Sequence, residues 1–123
     1  MLQAYSINAE VGATSAIPFN STILVKGCTA TLSAPTSIEL NKCGVYCISF
    51  DGVAAASTTV QLYRDGVALP QAQSTGTTLG FSTLVQVDRN NTCSPCSSPV
   101  TCQIMNTTAT TFDNANVVVT KIV

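Results

Sequence analysis

Apolar and polar residues alternate along most of this chain, in short runs separated by turn signals. A period of two places successive side chains on opposite faces of a strand. The stretch 58–64 is the plainest case: Val60 and Leu62 fall on one face, Gln61 and Tyr63 on the other. On this pattern, strands are predicted at 2–7, 17–25, 28–32, 37–40 and 44–53. Further strands follow at 58–64, 67–73, 78–87, 100–105 and 116–123. Lys26-Gly27 and Asn41-Lys42 read as turns, and Asp65-Gly66 is a strong hairpin signal because glycine accepts positive φ there. No window sustains a helical period. Many short strands at close spacing predict an all-β fold, an antiparallel two-sheet jelly-roll sandwich.

Two segments break the alternation. Gly44–Phe50 sets Val45 and Cys47 on one side, with Tyr46, Ile48 and Phe50 on the other. Val117, Val118 and Val119 are similar. The outer face of an antiparallel sheet normally meets water. A strand without a polar face therefore needs cover on both sides, and a second subunit can supply what one sandwich cannot.

Length and charge narrow the functions. The chain has 123 residues and suits one compact domain, with 1–16 as an N-terminal strand or arm and 17–123 as the jelly roll. Charged residues make up only 9%, with Lys+Arg 5 and Asp+Glu 6. That balance argues against nucleic acid and against an anionic membrane surface as partner. No histidine is present, so Ser-His-Asp or Cys-His catalysis and His-ligated metal are excluded within the chain, and an enzyme is not expected. Thr and Ser dominate the polar positions. So weakly charged a surface is poorly defended against self-association, which favours burial against copies of itself. The opening stretch lacks a basic region followed by an apolar run, and no segment is apolar enough to span a bilayer, so assembly in a cytoplasm is expected. Sequons at Asn20, Asn90 and Asn106 are read as unglycosylated.

The residues 90–99, NNTCSPCSSP, read as a loop. Cys93 and Cys96, followed by Cys102, are the one motif with chemical potential. Several roles stay open. They can staple the loop as a disulfide or remain plain thiols. They can bind zinc, with Cys28, Cys43 or a neighbouring subunit completing the set. Redox use would need a helix N-terminus, against which Pro95 and Pro99 argue. Cys47 is expected to pack as a small apolar residue. No metal or other cofactor is expected. The carboxylates Glu10, Glu39, Asp51, Asp65, Asp88 and Asp113 show no catalytic pairing and read as solvated charges near turns or strand ends. A calcium cluster of Asp51, Asp65 and Asp88 lacks a supporting spacing. Of Tyr5, Tyr46 and Tyr63, only Tyr63 is expected to point outward, which weakens a sugar-binding platform.

The stretch Gly44-Val45-Tyr46-Cys47-Ile48-Ser49-Phe50 resembles the aromatic strand of the C1q/TNF-like jelly-roll family. Residues 60–67, VQLYRDGV, look like its next strand and hairpin, and Ile17-Pro18-Phe19 like its early strand. The resemblance implies tight homotrimers. By analogy Val45, Cys47 and Ser49 would face the threefold axis, while Tyr46, Ile48, Phe50, Val60 and Leu62 would fill the subunit core. The opening MLQAYS, the Cys-Ser-Pro-Cys-Ser-Ser-Pro loop and the ending VVVTKIV are similar to small phage- and prophage-encoded virion proteins of Gram-positive bacteria. That resemblance implies a homotrimeric capsid decoration or cement protein in a virion, with itself and the major capsid protein as partners. A trimeric knob binding a bacterial surface glycan, or a spore-surface or appendage subunit, are the alternatives.

Overall fold

The computed structural model describes residues 1–27, 29–87 and 100–122. Its strands are β1 (Leu2–Val11), β2 (Ser15–Ala16), β3 (Ser21–Val25), β4 (Ala30–Ala34) and β5 (Ser37–Leu40). They continue with β6 (Gly44–Arg64), β7 (Val67–Val87), β8 (Val100–Asn106) and β9 (Thr110–Lys121). All pairings are antiparallel, and one nine-stranded ladder runs β3-β1-β9-β6-β8-β5-β4, with β2 on β8 and β7 on β6.

This single ladder becomes two layers because β6 and β7 bend together. The first half of β6 pairs with β9, from Tyr46 opposite Lys121 to Ala54 opposite Phe112. Its second half pairs with β8, from Val60 opposite Asn106 to Arg64 opposite Cys102. The register against β7 shifts between Val53 and Thr58, where the ladder turns from one layer to the other. The sequence pattern predicts separate strands at 44–53 and 58–64, and again at 67–73 and 78–87. Each pair is one strand of 21 residues. The alanines and Ser57 that look like a connection are a bulged bend, which twists a strand without ending it.

Asp65 (φ 49°) and Gly66 (φ 82°) make the expected hairpin turn. Positive φ at both central residues matches the twist of the flanking strands. β1 lies between β3 and β9, with Leu2, Ala4 and Val11 buried. The predicted run 17–25 is strand only from Ser21, after Phe19 has bonded to the Pro35 carbonyl.

The core lies between the layers. Tyr46, Ile48, Phe50, Val60 and Leu62 are all buried in it. Phe50 stacks on Phe81 at 5.5 Å and meets Phe19 edge-on at 6.4 Å. Such pairs add to simple burial. Gly52 makes room for this cluster: a Cβ there would stand 2.9 Å from the Asn114 carbonyl and 3.2 Å from the Phe50 ring.

Two polar fasteners close the ends of the sandwich. At one end the buried Tyr46 hydroxyl donates to the Lys42 carbonyl at 2.7 Å and accepts from the Lys42 N–H at 3.2 Å, with the Thr29 carbonyl also at 3.2 Å. At the other, fully buried Asn106 donates from Nδ2 to the Thr108 carbonyl at 2.7 Å and the Gly12 carbonyl at 3.2 Å. Its Oδ1 accepts from the Thr58 hydroxyl, whose oxygen in turn accepts the Thr108 N–H at 3.1 Å. A buried amide this fully bonded fixes the turn after β8, the end of β1 and the bend of β6 relative to one another. Its burial also removes the Asn106 sequon from any solvent-borne modification of the folded chain.

Candidate functional site

Alternation on β6 turns Val45, Cys47 and Ser49 outward while Tyr46, Ile48 and Phe50 turn into the core. The three outward residues are half-buried by their neighbours on β7 and β9. Ser49 stands opposite Ser82 of β7 and Val118 of β9; Cys47 stands opposite Leu84 and Thr120. The result is a face of small side chains with apolar ones beside them. Leu84 is 58% exposed on it. The Ser49 and Ser82 hydroxyls are 3.1 Å apart, and the Cys47 sulfur is 3.6 Å from the Ser82 oxygen. These groups satisfy one another within the face, which lowers the cost of taking them out of water.

Toward the bend of β6 the same face becomes polar. Asn116 Nδ2 donates to Asp51 Oδ1 at 3.0 Å, and Gln3 Nε2 donates to Asn116 Oδ1 at 3.4 Å. The face therefore has an apolar half around Val45, Cys47, Leu84 and Val118, and a polar half crossed by a side-chain ladder. Alternation separates Val45, Cys47 and Ser49 from Tyr46, Ile48 and Phe50 in the sequence. Ser82 and Leu84 join the face only through the register of β7 on β6.

The cysteines part company. Cys102 is a free thiol, buried on the inner side of β8 between Val100 and Ile104. Burial pushes its pKa up to about 12, with Arg64 opposing and Asp65 adding to the rise. This corrects the expectation that Cys102 joins a loop staple or a zinc site: a core thiol with so costly a thiolate is a packing residue. The period-two run Val100, Cys102, Ile104 carries that signal in the sequence. Cys43 is held in a disulfide, so it offers no thiolate to a metal. Cys28, Cys93 and Cys96 lie outside the described residues. Among the described residues no cluster of three or more acidic or cysteine side chains is placed to hold a metal ion.

Nor does the structure assemble the remaining candidates. Asp51 lies on the outer face with Asn116, while Asp65 sits in the β6–β7 turn, where its carboxylate accepts the Thr101 N–H at 2.9 Å. Asp88 is outside the described residues. Arg64 beside Asp65 donates from Nη1 to the Gln86 carbonyl at 2.6 Å. At the surface, Arg64 and Asp65 tie the hairpin to β7 and β8. Tyr5, Tyr46 and Tyr63 share no surface: Tyr46 is in the core, Tyr5 faces outward on β1, and Tyr63 on the second half of β6. An open depression of about 410 Å³ at the far end is lined by Glu10, Val11, Gly12, Ala109, Thr110 and Thr111. Its polar lining is one carboxylate, Glu10, and the two threonines. No helix among the described residues is long and apolar enough to cross a membrane.

No protein-family profile and no curated protein matches the sequence. Solved structures do match the fold. The globular domain of zebrafish complement 1qA protein superposes with a TM-score of 0.75 at 9% identity, over 99% of this chain and 96% of that one. The PRD1 vertex protein P5 gives 0.67 at 14% identity, over 99% and 96%. Rabbit GITRL gives 0.64 at 11% identity, over 100% and 95%. At such identities the likeness concerns the fold alone. The chain has a C1q/TNF-like jelly roll.

Proposed function

We propose that this protein is a non-enzymatic viral structural component, a homotrimer that decorates or cements a capsid. The observation that carries the reading is the outer face of β6, β7 and β9. Val45, Cys47, Val118 and Leu84 lie there on a regular sheet, and no strand among the described residues lies over them. Three copies packed about an axis along β6 would cover that half and leave the Asp51–Asn116 ladder at its margin. A standard interface buries about 800 Å² per partner. Apolar area removed from water contributes about 25 cal/mol per Å², before ordering costs. Small side chains at the centre let backbones approach closely, and Cys47 and Ser49 are of that kind.

The viral part of the reading is supported by the likeness to a PRD1 vertex protein, which in this fold serves a particle. Composition agrees, since a surface with so few charges suits a close-packed coat. The depression at the far end, with its lone carboxylate, gives a catalytic alternative no support. The experiment is static light scattering on the purified protein, followed by mass spectrometry of particles made in cells that express it. A stable trimer found in purified heads is the expected outcome. Location at a tail tip would favour the glycan-binding knob. A monomer at micromolar concentration, or absence from particles, would overturn the proposal.

A further inference from the structure

The few charges of this chain are sorted by end. Among the described residues, the cations Lys26, Lys42, Arg64 and Lys121 all lie at the end where β6 begins and β9 finishes. Two carboxylates share that end, Glu39 and Asp65, the second tied to Thr101. Glu10, Asp51 and Asp113 lie toward the opposite end, and no described cation accompanies them.

Exposed apolar side chains follow the same division. At the basic end Met1, Val25 and Ile122 are exposed on neighbouring strands: Leu2 pairs with both Val25 and Val119, and the Lys26 N–H is bonded to the Met1 carbonyl at 2.9 Å. At the acidic end Ile7 and Val53 are exposed on either side of Asn114, which is in register with both. Glu10 borders the depression beside them. Each end is therefore an apolar patch beside charges of one prevailing sign, four cations against two carboxylates at one end and three carboxylates at the other, the make-up of an interface core with a polar rim.

We propose that copies of this protein dock end to end, the basic corner around Met1, Val25, Lys26 and Ile122 of one copy on the acidic end around Ile7, Glu10, Val53 and Asp113 of the next. A second copy is the occupant because it matches both patches at once: an unrelated acidic partner would account for the basic corner and leave the acidic end unexplained. The two patches are different surfaces, so the contact is heterologous and repeats along an axis. Ile7 and Val53 lie on the outer face of β1 and β6 close to the bend, so the contact joins copies offset along the strand direction and leaves the Val45–Cys47 half of that face for lateral assembly. Exposed ion pairs are individually weak and screened by salt. Within a trimer three such contacts act together, which raises the avidity of the stack. The inference goes beyond the capsid reading and does not depend on it.

The test is sedimentation velocity at about 20 mM and about 500 mM salt, on either side of the range where screening takes hold. Wild type should show concentration-dependent species of at least about twice the base mass at low salt, and the base mass alone at high salt. Lys26→Glu with Lys42→Glu gives two acidic ends, and Glu10→Lys with Asp113→Lys gives two basic ends. All four side chains are exposed, so the fold should hold. Each double variant alone should stay at the base mass at low salt, and a mixture of the two should regain the larger species. The same sedimentation at both salts, variants that associate as wild type does, or a mixture that does not recover would each overturn the proposal. So would wild-type protein that stays at its base mass yet pellets with phosphatidylserine vesicles, which would assign the basic corner to a lipid surface.

Discussion

The two sides of β6 use one alternation for different ends. Tyr46, Ile48 and Phe50 are large, and each is at most 2% exposed. Val45, Cys47 and Ser49, one residue away along the same chain, are small and half-covered. The inner row is sealed by the opposite layer and explains the stability of one subunit. The outer row is bordered by Leu84 and Val118, and no strand among the described residues lies above it. Its small side chains on a regular sheet make sense as a surface for other chains to approach. Substitutions on the inner row should therefore unfold the protein, and those on the outer row should separate assembly from folding.

The largest loss is expected from Phe50→Ala. It removes the ring that joins Phe19 to Phe81 and leaves a cavity in the middle of the core. Chemical denaturation should show a loss of about 3–5 kcal/mol. Next comes Asn106→Ala. The Thr58 hydroxyl and the Gly12 and Thr108 carbonyls lose their partner, which should cost about 2–3 kcal/mol. An unchanged denaturation midpoint in this variant would mean that the far end is held by something other than this amide.

Alkali sharpens the inner side of the comparison. The folded-state pKa of Cys102 is raised from 9.0 to about 12, and that of Tyr46 is also raised, both chiefly by burial. Groups with raised folded pKa values favour the folded state fully below their unfolded pKa. The Cys102 contribution should therefore be intact below about pH 9 and fade as pH climbs toward 12. Cys102→Val should flatten that alkaline limb of the stability curve. The smallest effect belongs to Ser6, whose hydroxyl is buried without a hydrogen-bond partner. Ser6→Ala should raise stability by at most about 1 kcal/mol, read as a higher thermal midpoint.

Much of the inner row was legible in the sequence, because period two needs only the strand itself. The Asp65-Gly66 turn was legible for a similarly local reason, since its backbone angles demand those residue types. The continuity of β6 and β7 was not. Residues 54–57 form no turn because partners on both layers hold the strand through them, and partners are invisible in a linear pattern. The outer face was legible only on β6, since Ser82 and Leu84 belong to it by register. Asn106 reads in sequence only as an unused sequon, and the convergence of β1, β6 and β8 makes it a buried fastener. Cys102 went the other way: its neighbours Val100 and Ile104 already spell out an inward face, and the nearby Cys93 and Cys96 drew attention to chemistry instead.

The central claim is that the outer row assembles subunits and contributes little to folding one. Cys47→Arg tests it most directly, with mass measured by light scattering and fold by far-UV circular dichroism on the same sample. The account predicts a wild-type trimer and a variant that keeps its β spectrum at one third of the mass, because three like charges would meet near the axis. A wild-type monomer, or a variant that remains trimeric, would contradict it.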